Sequence, residues 1–171
     1  NKMKSASWYR NAVSLIADRS SPSELFASGK LLGRPSAGRM SMFFYDPKFK
    51  NRLPYYDTFP LVLPLEPMRG GFIGLNFHYL PYGARFKFLQ TLQSYASNNK
   101  FDQSTKIQAS YSSIKNNKYT KVAIKRYLYS HVRSNFLRVN VNEMALAAYL
   151  PVAQFQGKTI GGVFAAARKN F

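Results

Sequence analysis

Phe59-Pro60-Leu61-Val62-Leu63-Pro64-Leu65-Glu66, a turn over Pro67 to Gly71, and Phe72-Ile73-Gly74-Leu75-Asn76-Phe77 form the stretch from which the fold is read. Two short apolar runs separated by a Pro- and Gly-containing turn predict two strands side by side. Pro60 and Pro64 each remove a ladder donor, so the first of these strands is expected near a sheet edge. The glycines at 70, 71 and 74 resemble a phosphate-cradling loop, but no Gly-Lys-Ser/Thr follows them. They are better read as permitting the turn and close strand packing. Upstream, Arg39 to Tyr45 is aromatic and partly alternating, which predicts another strand, broken by Asp46-Pro47.

Helical spacing appears on both sides of this region. Ser7 to Arg19 places Trp8, Ala12, Leu15 and Ile16 on one face. Ser21-Pro22-Ser23-Glu24 is a capping box with proline at the first helical position, opening a short helix before Gly29. Lys30 to Gly38 reads as a basic loop. Pro81 to Ser97, with Tyr82, Phe86, Leu89, Leu92 and Ala96 recurring, is the clearest helix. Thr105 to Asn116 and Thr120 to Phe136 are two further candidates, the second on the spacing of Ala123, Tyr127 and Ser130 or His131. Leu137 to Val141 predicts a short strand, Glu143 to Tyr149 a helix capped by Asn142, and Thr159 to Lys169 a final helix. The fold class expected is α+β, a small antiparallel sheet packed against several helices in a single domain. Residues 1–38 would form an N-terminal helical arm, 39–80 the sheet region and 81–171 a basic helical region. At 171 residues one such domain can bury a sizeable core.

Charge is the strongest global property. Lys and Arg number 25 against 7 Asp and Glu, a formal net charge of +18. An enzyme of neutral metabolites has no need of this, whereas a polyanion is drawn to it over long range. Nucleic acid is the first candidate, an anionic membrane surface the second and an acidic protein the third. Five of the seven acids precede residue 70, and Gln103 to Asn142 contains none, so one half of the domain is basic. No run approaches the ~20 apolar residues of a membrane span. A chain that starts at Asn1 is expected to be a trimmed one, with room for a signal segment before it. Without cysteine there is no disulfide, thiolate metal site or cysteine nucleophile.

No constellation for catalysis stands out. His78 and His131 are far apart and lack an acidic neighbour in sequence, so neither a zinc site nor a cofactor is expected, and His78 reads as a core hydrogen-bonding residue. Asp46, Asp57 and Glu66 could gather around magnesium as nucleases require, but Asp46-Pro47 and Asp57-Thr58-Phe59-Pro60 are ordinary turn sequences, and no acid-lysine nuclease motif accompanies them. There is no Gly-x-Ser-x-Gly elbow. What remains is cations interleaved with aromatics: Lys48-Phe49-Lys50-Asn51-Arg52-Leu53-Pro54-Tyr55-Tyr56, Arg85-Phe86-Lys87-Phe88, and Lys118-Tyr119-Thr120-Lys121 with Lys125-Arg126-Tyr127. With Arg133 and Arg138 they give the candidate nucleic-acid-binding set: Lys48, Lys50, Arg52, Arg85, Lys87, Lys118, Lys121, Lys125, Arg126, Arg133 and Arg138. Lys and Arg would bind phosphates, and exposed Tyr rings would stack on unpaired bases. The plainer reading makes the aromatics, Phe86 and Tyr127 above all, core residues and the cations a solvated face. No recognition helix, zinc finger or RNA-binding strand motif is present, so binding is expected to be sequence-independent and salt-sensitive.

Three blocks carry a resemblance: Met42-Phe43-Phe44-Tyr45-Asp46-Pro47-Lys48, Leu53 to Pro64, and Gly71 to Pro81, joined by Lys125-Arg126-Tyr127-Leu128-Tyr129-Ser130 and Val132-Arg133-Ser134. Over roughly residues 40–138 the chain resembles a small virion protein of contractile-tailed, cyanophage-like myoviruses, of the DNA end protector family. The resemblance implies a non-enzymatic virion protein that binds packaged DNA, at its end or near the portal, without reading sequence. The alternative it leaves is a tail, neck or baseplate subunit whose basic surface meets acidic neighbours in a symmetric assembly. It brings no catalytic residues with it.

Overall fold

The computed structural model describes residues 4–16, 21–35, 38–96, 114, 117–139, 143–169 and 171. In chain order the elements are α1 (Ala6–Ile16), α2 (Pro22–Ser28), β1 (Lys30–Leu32), β2 (Ser41–Met42), β3 (Tyr56–Asp57), β4 (Leu61–Met68), β5 (Gly71–Asn76), α3 (Tyr82–Ala96), β6 (Ile124–Leu128), β7 (Phe136–Arg138), α4 (Met144–Tyr149), β8 (Phe155–Gln156) and α5 (Ile160–Arg168). Single 3-10 turns lie at Phe77–Tyr79, Lys121–Ala123 and Tyr129–His131. Six strands form one antiparallel sheet in the order β1-β7-β2-β4-β5-β6, and β3 pairs with β8 in a second, two-stranded sheet. The α+β class expected from sequence is the one found.

The hairpin β4–β5 is the centre of the sheet. Met68 pairs with Gly71, so the loop is Arg69-Gly70, and Gly70 takes a positive φ of 75° that a side chain would resist. Alternation then sends Leu61, Leu63, Leu65 and Leu75 to one face and Val62 and Phe72 to the other. The leucine face is covered by helices, with Tyr9 and Val13 of α1, Phe88 and Leu89 of α3, Ala145 and Ala148 of α4, and Val163 of α5. The opposite face carries an aromatic cluster. Phe43 sits at its centre, with ring centroids of Phe136, Tyr127, Phe72 and Tyr45 at 4.8, 5.4, 6.0 and 6.1 Å.

Several expectations are corrected. β4 is interior in strand order, not at an edge. Its prolines are tolerated because β2 pairs only with Leu61 and Val62, and the register shifts at a bulge between Pro64 and Glu66. The stretch expected as a helix over 120–136 is a 3-10 turn, the strand β6, and a second 3-10 turn. Ala123 ends the 3-10 turn and packs on the leucine face, whereas Tyr127 of β6 packs in the aromatic cluster, so the spacing of four that suggested one helical face does not hold. Pairing along all of β5 from Gly71 to Leu75, with Tyr127 stacked on Phe72 at 5.5 Å, selects the strand. The basic loop expected after Gly29 begins instead with β1, which pairs with β7. α1 is a helix, but it buries Tyr9 and Val13 while Trp8 and Leu15 stay exposed, because Tyr9 stacks on Tyr149 of α4 at 6.2 Å. The capping box at Ser21 and Glu24 is present as read. The candidate helix over 105–116 and the Asn142 cap lie outside the described residues, save for a buried Ile114.

Candidate nucleic-acid interface

The exposed members of the candidate set fall into two groups. The first is the turn after β2, where the chain doubles back at residues 48–52. It is fastened to the loop before β7: the Asp46 N–H donates to the His131 carbonyl at 3.0 Å, and the Arg133 N–H to that of Phe44 at 2.8 Å. The Asp46 carboxylate accepts from Lys50 Nζ at 3.0 Å and lies 3.6 Å from Arg133 Nη2. Its hydrogen bond from Lys50 holds its pKa below the usual carboxylate range. One carboxylate thus serves two cations, and Lys48, Lys50, Arg52 and Arg133 stand on one patch with excess positive charge. Phe49, half exposed, lies between Lys48 and Arg52, whose charged groups are 5.2 and 5.7 Å from its ring centroid. Arg34, absent from the expected set, stacks 4.0 Å above Tyr129. The only signal for it in the sequence is its place in the basic run after Gly29.

The second group surrounds the 117–120 turn and the edge strand β6. The Tyr119 N–H donates to Asn117 Oδ1 at 2.8 Å, and Thr120 Oγ1 donates to the Ile114 carbonyl at 2.9 Å, so the turn is locked from within. Lys118 reaches over the Tyr119 ring at 4.9 Å, and that ring meets Phe171 edge-on at 5.2 Å. Lys118, Lys121 and Arg126 are exposed, as is Lys87 on α3. Between α3 and this turn lies a cavity of about 600 Å³ whose walls include Lys87, Tyr119, Arg168 and Phe171. Lys125 is half-buried, with its ammonium 4.2 Å from the Tyr79 ring centroid, and burial lowers its pKa.

Two members of the set are turned away from solvent or held within the sheet. Arg85 is 1% exposed. Its guanidinium donates to the carbonyls of Leu80 and Ala148 at 2.7 Å each and of His78 at 3.3 Å, and stacks on Tyr82 at 4.6 Å. Burial pushes its pKa down to about 10, still well above neutrality. It is a clamp between α3 and α4, out of reach of a phosphate. Arg138 lies on the interior strand β7 between Lys30 and Ser41, partly buried, with a buried Nε.

Sequence reasoning also placed Asp57 in a turn and left His78 without an acid. The structure joins them: Asp57 Oδ2 accepts from His78 Nδ1 at 2.7 Å and from Asn76 Nδ2 at 3.1 Å, and Oδ1 accepts from the N–H groups of Phe59 and Gln154 at 3.0 and 3.1 Å. His78 and Asp57 are 0% and 4% exposed. Burial lowers the His78 pKa despite the adjacent carboxylate, while its hydrogen bonds and the nearby imidazole keep Asp57 ionised, below its usual range. This is an acid-base pair that no substrate reaches, tying β3, β5 and the 154 segment together. Glu66 is exposed on β4, and Asp46 is engaged by Lys50 and Arg133, so the three acids considered for magnesium are not gathered. Among the described residues no three His, Asp or Glu side chains group as metal ligands, and no helix is long and apolar enough to cross a membrane.

No curated protein and no solved structure matches the chain. One sequence family does: that of the phage T4 terminal DNA protecting protein, which matches residues 1–169. With all but the last two residues covered, the chain belongs to that family, as the resemblance read from its aromatic and proline-rich blocks implied.

Proposed function

We propose that this virion protein binds packaged DNA through the phosphate backbone, without reading sequence, and acts by binding alone. The observation that carries the reading is the placement of the exposed cations. Lys48, Arg52 and Arg133 lie on one patch, and Lys118, Lys121 and Arg126 on another, in a chain of net charge +18. Among the described residues neither patch has the helix or ribbon that enters a groove, which suits binding that does not read base edges. The edge strand β6 presents Arg126 to solvent, and Lys118 and Lys121 are exposed in the turns that lead into it, which suits a run of phosphates. The test is duplex binding across a salt series. Affinity falls linearly on logarithmic axes, and the triple variant K118E/K121E/R126E lowers the slope by about one for each contact removed. A wild-type affinity that is flat in salt, or a variant slope equal to the wild type, refutes the reading.

A second reading, contact with other virion proteins in a symmetric assembly, rests on one observation. Trp8 and Leu15 lie two turns apart on α1 and are 44% and 76% exposed.

A further inference from the structure

The cavity beside α3 combines three features. Its floor is apolar, made by Leu80, Ala84, Phe88, Leu92 and Ile114. Its rim carries Lys87 and Arg168 and, among its described lining residues, no Asp or Glu. Its aromatic wall is exposed: Tyr119 and Phe171 are 45% and 40% accessible, although their rings already touch at 5.2 Å. An apolar slot with an aromatic wall and a cationic rim fits a nucleobase attached to a phosphate. Pro81 and Gly83 at the start of α3 line the same cavity, so the positive end of that helix's dipole forms part of its wall. At about 600 Å³ the space lies within the roughly 300–1,000 Å³ usual for clefts that enclose small molecules.

We propose that this cavity receives the terminal nucleotide of a DNA end, with its base against Tyr119 and Phe171 and its phosphate at Lys87 and Arg168. The inference rests on the DNA-binding reading above and deepens it by separating an end receptor from the backbone-tracking patches. An internal nucleotide of a duplex is stacked on both sides and paired, and enters only by flipping out at the cost of both. A terminal one is stacked on one side only, and an unpaired one has no partner to give up, so entry is easiest for an end with a single-stranded overhang. Nucleic acid is the occupant because it offers both a flat apolar base for the floor and a phosphate for Lys87 and Arg168, in a chain of net charge +18.

The experiment compares the affinity of the full chain for a linear duplex with a short single-stranded overhang and for a closed circular duplex of the same sequence, at one salt concentration. The wild type prefers the linear form. The double variant Y119A/F171A, whose side chains are exposed and carry no part of the core, loses that preference through a roughly five- to 150-fold fall in affinity for ends. Its affinity for the circle falls far less, because Lys118, Lys121 and Arg126 remain. Equal wild-type affinity for linear and circular DNA overturns the end receptor and leaves the backbone reading standing. Absence of binding to both removes the backbone reading and this one with it. An end preference that survives in Y119A/F171A also overturns the proposal; if the variant then sediments as a monomer where the wild type is a dimer, the cavity belongs to a second copy of the chain.

Discussion

Replacing Asp57 by alanine tests whether one buried carboxylate holds the two sheets together. In the wild type its oxygens accept four hydrogen bonds, from Phe59 N–H, Gln154 N–H, Asn76 Nδ2 and His78 Nδ1. Phe59, Asn76 and His78 are each 0% exposed, so their donors would have no water to turn to. Each buried donor left without an acceptor costs about 1–3 kcal/mol, and relaxation recovers part of the sum. The expected loss is about 3–5 kcal/mol, the range seen when one partner of a buried pair is removed. That is a large share of the ~5–15 kcal/mol that holds a typical domain together. In a chain of this length it corresponds to a fall in Tm of about 6–20 °C. Urea unfolding followed by far-ultraviolet circular dichroism gives the difference directly. The variant D57N separates shape from charge. Its oxygen still serves the two backbone donors, and the mismatch is confined to the side where Asn76 and His78 donate, so the loss is about 1–3 kcal/mol. A D57A protein within about 1 kcal/mol of the wild type refutes the view of this carboxylate as the tie.

The same pair predicts acid sensitivity. Both His78 and Asp57 have folded pKa values below their unfolded ones, so the unfolded chain takes up each proton first. Their contributions are therefore complete above pH ~6.5 for His78 and ~3.8 for Asp57, and are lost as pH falls below each value toward the folded pKa. The urea midpoint is expected to drop between pH 7.5 and 5, and H78Q flattens that part of the curve; an equally steep fall in H78Q contradicts the assignment. Arg85 is expected to reject lysine, because a single ammonium cannot reach the three carbonyls that the fork spans. R85K should lose about 2–4 kcal/mol by denaturation while DNA affinity per folded molecule stays at the wild-type value. A stable R85K, or one that folds normally but binds DNA poorly, would return Arg85 to the interface.

The α+β class was legible because the 59–77 hairpin and the 81–97 helix state their periods locally. Leucine alternation fixes the face of β4, and Gly70 supplies the one backbone conformation the turn needs. β6 was not legible, since the spacing of Ala123 and Tyr127 suits a helix and the deciding fact is pairing with β5, forty residues or more away. Arg85 shows the same limit at the site. An arginine between aromatics reads like a phosphate ligand until the carbonyls of Leu80 and Ala148 are found around it. Asp57 reads as a turn residue because its partners Asn76 and Gln154 are distant in the chain. The exposed cations on turns, Lys48 and Lys118 among them, were legible because solvent, and not a distant partner, decides their environment.

The strand order carries a consequence for how the protein is made. β1 waits for β7, Phe44 for Ser134 across 90 residues, and Asp57 for Gln154 across 97. A chain leaving the ribosome can close the β4–β5 hairpin early, but β1 and β3 have no partners until residues 136–138 and 155–156 have emerged. High contact order of this kind makes folding slow and delays the closing of the sheet. A freshly synthesised copy therefore carries its apolar strands and its full positive charge in the open for a time, and it is in that interval, before the sheet closes, that a polyanion or an aggregating neighbour has the easiest access to it.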